Sequence, residues 1–325
     1  MRFQPTTEQR EFTSVLRDFL AGQDVPSIAR AWAAGDVAPG RALWRKLAAQ
    51  GVLALGIPEE HGGLGATEVD LVLAFEQLGK AAVPGPYAES AAVLPRLLEG
   101  GPAASHLDAI ALGETMGTVA LPPAVPYAVD AAEADAVYVV EAGQLTSGVV
   151  TDERTSVDGT RRLGVVQAGA PLAAVDATSA FDHGALTTAA YLLGLGGALL
   201  DQAVGYAKIR RQFGSAIGSF QAVKHALADV AVALEFARPL LFGAALAIGG
   251  PHASRDVSAA KLACSAAANR AARTALQVHG AIGYTAEYDL SIWLVKVRAL
   301  SSAWGTARLH RDRVRAALTD EVNHG

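Results

Sequence analysis

Long apolar segments separated by glycine-containing breaks are the feature of this sequence that most restricts its fold. From Gly184 onward the spacing of apolar residues is helical, and it is interrupted near 215–218, at 249–251 and at 280–284. Three breaks predict four helices. The second segment carries two apolar series at seven-residue spacing, typical of the seam of an up-and-down bundle: Val223, Val230 and Ala237, and Leu227, Leu234 and Leu241. We therefore predict a C-terminal four-helix bundle over residues 181–325.

The N-terminal part of the chain is also predicted to be helical. Thr6 and Gln9 have the spacing of a capping box and precede an apolar helical pattern. Thr67 is the predicted cap of a later helix, with Asp70 in its first turn. Between these helices, one proline and four glycines over 56–65 predict a loop.

The middle of the chain has the composition of a small β-sheet. Runs rich in valine at 136–140, 148–150 and 163–166 are separated by turn residues. We predict a mainly α protein with a helical N-terminal domain over residues 1–100, a reduced β domain over 101–180 and the bundle after it.

Composition excludes several classes of partner. The chain has 325 residues, of which 51% are hydrophobic and 18% charged, so it can bury a core. Its formal charge of -5 gives no basic field for nucleic acid. A single cysteine, Cys264, cannot form an internal disulfide, and no signal peptide or membrane-spanning run is evident, so we expect a cytoplasmic protein without a membrane partner.

Three common types of site have no support in the sequence. Gly194-Leu195-Gly196-Gly197 is similar to a dinucleotide loop but follows no strand and lacks the third glycine. The eight histidines form no metal-binding spacing, and no nucleophile-elbow motif is present.

Polar residues and glycines gather instead at the predicted helix ends of the bundle. They are Arg210, Gln212 and Phe213 at the end of the first helix, Gln221 at the start of the second, and Gln277, Gly280 and Ala281 at the end of the third. Arginine beside glutamines and open glycine backbone suits a pyrophosphate with an attached planar ring. Surface capping with glycine C-caps explains the same residues equally well.

Four motifs in order resemble the acyl-CoA dehydrogenase family. They are Gly-Ile-Pro-Glu-Glu-His-Gly-Gly-Leu-Gly at 56–65, Arg-x-Gln-Phe-Gly at 210–214, Phe-Gln at 220–221, and Gln-x-His-Gly-x-x-Gly-Tyr-x-x-Glu at 277–287. The resemblance covers both ends of the chain. It implies a helical domain, a β domain and a four-helix bundle, with FAD held across a subunit interface, and an activity that removes hydrogens from the α and β carbons of an acyl thioester.

The resemblance also assigns cofactor contacts residue by residue. Arg210, Gln212 and Phe213 would meet the pyrophosphate and adenosine of FAD, with Gln221 nearby. Gln277, Gly280 and Ala281 would approach FAD bound mainly by the neighbouring subunit, and Thr306 matches the threonine of the family's Tyr-Glu-Gly-Thr motif.

The chain departs from the family where the catalytic base is expected. Trp304 occupies the place of the glutamate in Tyr-Glu-Gly-Thr, and an indole cannot accept a proton from the substrate. The alternative family position falls on Gly184, and the arginine that follows it is matched by Ala185. The middle region also lacks the family's Thr-Glu-Pro-Gly loop and tryptophan-bearing strand. We therefore predict no catalytic residue in this chain.

With these losses, the chain resembles the short subunits of heteromeric acyl-CoA dehydrogenases of steroid side-chain degradation. The resemblance implies a full-length partner subunit in a heterotetramer, FAD as cofactor and a bulky, steroid-derived acyl-CoA as the candidate substrate. Two alternatives stay open at this point. One is a homomeric dehydrogenase with an unrecognised base, for which Glu287 and Asp289 are candidates; the other is a structural paralogue without flavin.

Overall fold

The structure is a computed structural model that describes residues 4–285 and 287–324. These residues form eleven α-helices, a small sheet and a two-stranded hairpin, so the prediction of a mainly α fold is confirmed. The N-terminal helices are α1 Thr7–Ala21, α2 Val25–Ala33, α3 Ala38–Ala49, α4 Glu68–Ala81, α5 Leu94–Leu98 and α6 Ser105–Ala111. A π-helical turn over Glu89–Val93 leads into α5.

Both predicted caps are present. The Gln9 amide donates to the Thr6 hydroxyl at 3.2 Å, and the Thr6 amide donates to the Gln9 side chain at 3.0 Å, which closes the capping box of α1. The Thr67 amide and hydroxyl donate to the Asp70 carboxylate at 2.8 and 2.6 Å at the start of α4. Local signals therefore fix where these two helices begin.

The sheet has five strands in the order β1-β3-β4-β5-β2. The strands are β1 Gly117–Ala120, β2 Ala128–Val129, β3 Ala136–Glu141, β4 Gln144–Arg154 and β5 Leu163–Ala174. β1 pairs with β3 in parallel, and the other pairs are antiparallel. The three predicted runs fall on β3, β4 and β5, whereas no sequence pattern indicated the short strands β1 and β2.

The C-terminal part contains the four predicted helical segments. They begin with α7 Thr178–Ile209, followed by a hairpin of β6 Arg211–Gln212 and β7 Ser215–Ala216, and continue with α8 Gln221–Ala247 and α9 Ala253–His279. The fourth segment is divided into α10 Leu290–Leu300 and α11 Ala307–His324. The break lies at Trp304 and Gly305, whose φ angles of 52° and 102° are incompatible with a continuous helix. The domain boundaries at 100/101 and 180/181 stay predictions.

Glycines allow α7 to pack closely on α4. A Cβ atom at Gly194 would lie within 2.9 Å of three backbone atoms of α4, and one at Gly79 would lie within 3.0 Å of three backbone atoms of Tyr191. Gly194 is therefore a packing glycine inside a helix, which agrees with its rejection as a dinucleotide loop.

The two longest apolar helices differ in burial. By length and composition α7 and α8 could each cross a membrane, but the most apolar window of α7 is 83% buried inside the fold, as expected of a core helix. The corresponding window of α8 is only 39% buried. Val232, Phe236 and Leu240, spaced four residues apart, leave an apolar stripe of α8 exposed.

Candidate functional site

Trp304 lies buried in the turn between α10 and α11, with 2% of its surface exposed. The turn is held from α9 by Lys261, whose amino group donates to the carbonyl oxygens of Leu300 at 3.1 Å and Ser301 at 3.3 Å. His310 contacts the Trp304 carbonyl oxygen through Nε2 at 2.9 Å. Burial lowers the pKa of His310 to about 4, so its ring is neutral at pH 7 and donates this bond from Nε2.

The two positions to which the resemblance assigns the base, Gly184 and Trp304, lie against each other. A Cβ atom at Gly184 would lie within 2.7 Å of three indole carbons. The indole therefore requires glycine on the turn of α7 that faces it. The two departures from the family motif, glycine at 184 and tryptophan at 304, pack against each other. This explains in physical terms why Gly184 and Trp304 occur together.

We expect Gly184→Ala to destabilise the protein by about 1–3 kcal/mol, because the added methyl group overpacks the indole. In the Trp304→Ala background the same change should have a much smaller effect, since the ring it meets is gone. Urea unfolding of the two single variants and the double variant measures this coupling. Equal effects of Gly184→Ala in both backgrounds would contradict the contact.

The cavity beside Trp304 is too small for an acyl chain. It has a volume of about 30 Å³ and is lined mainly by ring and charged side chains, among them Tyr87, Glu89, Arg161, Tyr191, Lys296 and Trp304. A cavity of this volume holds about two water molecules. Trp304 and Glu89 also line a second, larger cleft of about 990 Å³.

Glu89 is a buried acid in this cavity that no sequence motif indicated. Its Oε1 accepts a hydrogen bond from the Trp304 indole N–H at 3.0 Å, and 3% of its surface is exposed. Burial raises the pKa of Glu89, although the nearby Arg161 and the indole bond act against this rise. The residue stands in a π-helical turn outside every motif, and its role depends on contacts distant in sequence.

The two acids considered as alternative bases lie elsewhere. Asp289 forms an ion pair with Arg30, and the Glu287 backbone oxygen accepts a hydrogen bond from the same guanidinium at 3.3 Å. Neither residue lines the cavity beside Trp304. The structure therefore gives these two acids no contact with the site.

A buried ion pair attaches the sheet to the bundle close to the same cavity. The Lys296 amino group on α10 donates to the Asp158 carboxylate at 2.9 Å and to the Thr160 hydroxyl at 2.5 Å. Burial by itself would raise the pKa of Asp158, but the charge and hydrogen bond of Lys296, with the Thr160 bonds, lower it overall. The pair fixes the β4–β5 loop against α10.

Seven of the eight predicted cofactor residues lie at one end of the bundle. Tyr206 of α7 stacks on His279 of α9 with ring centroids 4.3 Å apart, which brings the C-terminal ends of the two helices together. These seven residues are all exposed: Arg210, Gln212, Phe213, Gln221, Gln277, Gly280 and Ala281. The seven predicted residues therefore lie on helix ends that are in contact, and they are open to solvent.

Two of these residues have features that suit contact with another molecule. The Arg210 side chain makes no hydrogen bond or ion pair with the described residues, which leaves its guanidinium available to an anion. Phe213 is 93% exposed and has a φ of 51°, and its ring meets Phe220 edge to face at 6.3 Å. Phe213 and Phe220 thus form an exposed aromatic pair at this end of the bundle.

Thr306 lies apart from the other seven. Its hydroxyl accepts a hydrogen bond from the Leu309 amide at 3.3 Å and so caps α11. It lines a separate cleft of about 990 Å³ between the bundle and the sheet loops, and none of the other seven lines that cleft. A single chain therefore does not unite all the predicted residues in one site.

Two domain models match this chain. Residues 6–106 match the acyl-CoA dehydrogenase N-terminal domain, and residues 175–319 match the acyl-CoA dehydrogenase C-terminal domain, which define a class of flavin-dependent oxidoreductases. Acyl-CoA dehydrogenase IpdE2 of Mycobacterium tuberculosis is 34% identical over 311 residues, which cover 94% of this chain and 93% of that protein. The chain belongs to the acyl-CoA dehydrogenase family.

A longer relative shows that segments are missing here. Probable acyl-CoA dehydrogenase YngJ of Bacillus subtilis is 26% identical in an alignment of 376 positions, which covers 96% of this chain and 98% of that protein. Because this chain has only 325 residues, the relative contains segments that it lacks. This agrees with the prediction of a chain shorter than the full-length members.

Solved structures agree on the fold. The ChsE4-ChsE5 complex of Mycobacterium tuberculosis has a TM-score of 0.82 at 22% identity, covering 98% of this chain and 99% of that chain. The Tcur3481-Tcur3483 steroid ACAD has a TM-score of 0.84 at 20% identity, covering 97% and 99%. A glutaryl-CoA dehydrogenase of Mycobacterium smegmatis, solved with FADH2, has a TM-score of 0.81 at 17% identity, covering 97% and 95%. The prediction of FAD as the cofactor of this family is confirmed.

Proposed function

We propose that this chain is the non-catalytic short subunit of a heteromeric acyl-CoA dehydrogenase and completes the FAD site of a full-length partner. The observation that carries the proposal is the buried Trp304, an indole bonded to Glu89, at the position to which the resemblance assigns the proton-accepting carboxylate. Binding to a neighbour's cofactor is the role that the remaining residues support.

The family's reaction needs a carboxylate that takes the α proton, and FAD, when bound, would supply the hydride acceptor. In this chain the indole N–H of Trp304 already donates to Glu89, so this group offers no acceptor for a substrate proton. Glu89 lines both the cavity of about 30 Å³ and the cleft of about 990 Å³, but 3% of its surface is exposed and its carboxylate is bonded to the indole. The proton-accepting carboxylate is therefore assigned to the partner.

The open end of the bundle supplies the contacts to the cofactor. Arg210 carries a positive charge that no described side chain neutralises, and it suits one of the two phosphates of FAD. Gln212 and Gln277 are exposed amides beside it, on the hairpin and on α9. Because these groups face solvent in the single chain, a cofactor held here needs a second subunit to cover it.

Exposed apolar residues support such an association. The α8 stripe of Val232, Phe236 and Leu240 leaves 53%, 73% and 48% of these side chains exposed, and Phe213 lies on the hairpin that precedes α8. Stable subunit interfaces bury large apolar surfaces of this kind. We propose this surface as the contact with the full-length subunit.

The substrate proposed for the complex is a bulky, steroid-derived acyl-CoA bound by the partner. Support comes from the fold shared with the Tcur3481-Tcur3483 steroid ACAD.

Co-expression with a full-length relative should give a yellow complex that contains fewer flavins than chains and reduces a dye with acyl-CoA. The isolated chain should show no dehydrogenation. One flavin per chain would exclude the half-site arrangement. Turnover by the isolated chain would favour the homomeric alternative, and a colourless complex would favour the structural paralogue.

Trp304→Glu should not restore turnover to the isolated chain. The substitution introduces a carboxylate but supplies neither an acyl-binding site nor the partner's contacts to the cofactor. Stopped-flow reduction of added FAD by acyl-CoA measures the outcome, with Trp304→Phe as the control that keeps an aromatic ring. Substantial flavin reduction by Trp304→Glu alone would show that the chain lacks only the base.

A further inference from the structure

A buried donor and a buried acceptor lie unpaired where the sheet meets the N-terminal helices. They are the indole N–H of Trp32, in α2, and the Oδ2 atom of Asp130, in the loop after β2; neither has a hydrogen-bond partner among the described residues. Both residues have 0% of their surface exposed. Buried polar groups of native proteins are normally paired, so these two atoms require an explanation.

The other polar atoms of Asp130 are all bonded. Its amide donates to the Arg162 carbonyl oxygen at 2.7 Å, and its Oδ1 accepts from the Arg162 amide at 3.0 Å. Its carbonyl oxygen accepts from the Glu133 amide at 3.0 Å. The backbone φ of 50° is in the left-handed region, which aspartate and asparagine tolerate better than most residues. These bonds fix the carboxyl group and leave Oδ2 unused.

The Trp32 ring is also fixed in place. A Cβ atom at Gly40 would lie within 2.7 Å of two ring carbons, so α3 packs directly on the indole. The Trp32 carbonyl oxygen accepts a hydrogen bond from the Arg162 guanidinium at 2.6 Å. The indole acts on Asp130 as a donor and lowers the pKa of its carboxyl group. The unpaired N–H and the unpaired Oδ2 therefore belong to one small site.

The charge of Asp130 is sensitive to its surroundings. Burial raises the pKa of this acid to about 7. The groups that act against the rise donate a hydrogen bond or carry a positive charge: the Arg162 amide, Arg161, Trp32 and Lys296. The other charged groups of the neighbouring elements form ion pairs: Glu133 with Arg162, Asp135 with Arg41, and Asp158 with Lys296. Asp130 can therefore change its charge near neutral pH.

The two protonation states of Asp130 have opposite effects on the indole. An ionised carboxylate is an acceptor at both oxygens, so Oδ2 can accept the Trp32 N–H. A proton on Oδ2 turns this atom into a donor that faces another donor, and the bond cannot form. We infer that Asp130 and Trp32 form a buried proton switch, in which the indole–carboxylate bond forms on ionisation and is lost on protonation, so that the link between α2 and the sheet depends on pH.

The switch lies beside a short segment, residues 158–162, that is anchored at both ends. Arg162 ties one end to Asp130 and to α2, and Asp158 ties the other end to Lys296 on α10. The switch therefore acts at a junction of the N-terminal helices, the sheet and the bundle. The inference goes beyond the proposed function, because neither Asp130 nor Trp32 belongs to the seven half-site residues.

The indole N–H signals of the full chain test the inference. Nitrogen-15 labelling of tryptophan gives four indole signals, and Trp32→Phe identifies the one from Trp32. This signal should shift downfield between about pH 5 and about pH 9, because the indole gains a bond to a charged acceptor as Asp130 ionises. Trp293 is the internal control, since it donates to the Lys80 carbonyl oxygen at 2.9 Å, which does not titrate. A Trp32 signal that stays unchanged over this range would overturn the inference.

Asp130→Asn separates the switch from other titrating groups. The amide imitates the protonated acid, and asparagine accepts the left-handed backbone. The Trp32 signal of this variant should stay at its low-pH position at every pH. Asp152→Asn, which removes an acid on β4 whose side chain is 52% exposed, is the matched control and should titrate like the parent chain. Equal shifts in the parent chain and in Asp130→Asn would assign the titration to another group and would also overturn the inference.

Discussion

Lys296→Met should destabilise the protein by about 3–5 kcal/mol, because it leaves the Asp158 carboxylate buried without a partner. The two side chains are 3% and 0% exposed, so solvent cannot replace the lost charge. Denaturant unfolding at pH 7 measures the loss. Lys224→Met, on the exposed surface of α8, is the matched control and should change stability by less than about 0.5 kcal/mol.

Two further measurements separate charge from packing in this pair. Lys296→Met/Asp158→Asn should recover much of the stability, because the amide still accepts the Thr160 bonds but carries no charge. The charge of Lys296 keeps the pKa of Asp158 low in the folded protein. The contribution of the ion pair to wild-type stability is therefore present above the pKa that Asp158 has in the unfolded chain, and it is lost on acidification. In Lys296→Met burial instead favours the protonated acid, so the stability difference between the two proteins should grow from about pH 4 to pH 7. A difference that does not change with pH would contradict this explanation.

Arg210→Ala should weaken FAD retention by the heteromeric complex by about 1.5–3 kcal/mol, which corresponds to roughly a 10- to 150-fold rise in Kd. The reason is the loss of a charge-assisted bond from a guanidinium that has no other partner in the described chain. Flavin absorbance after gel filtration at several protein concentrations measures the change.

The control for this prediction is Arg17→Ala, an exposed arginine on α1. It removes the same charge from a part of the chain that contributes none of the seven half-site residues, and flavin retention should not change. Subunit assembly should also persist in Arg210→Ala, since the apolar stripe of α8 is intact. Unaltered flavin content in Arg210→Ala would remove this residue from the cofactor site.

The sequence predicted those features that depend on near neighbours in the chain. Capping boxes at Thr6 and Thr67 join groups three residues apart, and the glycine breaks between the bundle helices are local as well. The division between α10 and α11 was not predicted, because the turn at Trp304 is held by distant residues, Lys261 on α9 and Glu89 in the π-helical turn. The short strands β1 and β2 have too few residues to show a pattern of their own.

In the candidate site, too, the residues in local motifs were predicted and those that depend on distant contacts were not. Motifs located Arg210 and its neighbours, and the stack of Tyr206 on His279 brings the ends of α7 and α9 together. Glu89 was missed because its importance comes from the Trp304 indole, 215 residues further along the chain.

The contact between Gly184 and the indole makes the order of substitutions matter. A glutamate introduced at position 184 first would collide with the ring, and so would any other side chain there. The ring must be removed before α7 can carry an acid, so an engineered or natural return to catalysis through that helix requires the change at 304 to come first. Catalysis can therefore be restored by single substitutions if residue 304 changes first, and this route is blocked if residue 184 changes first.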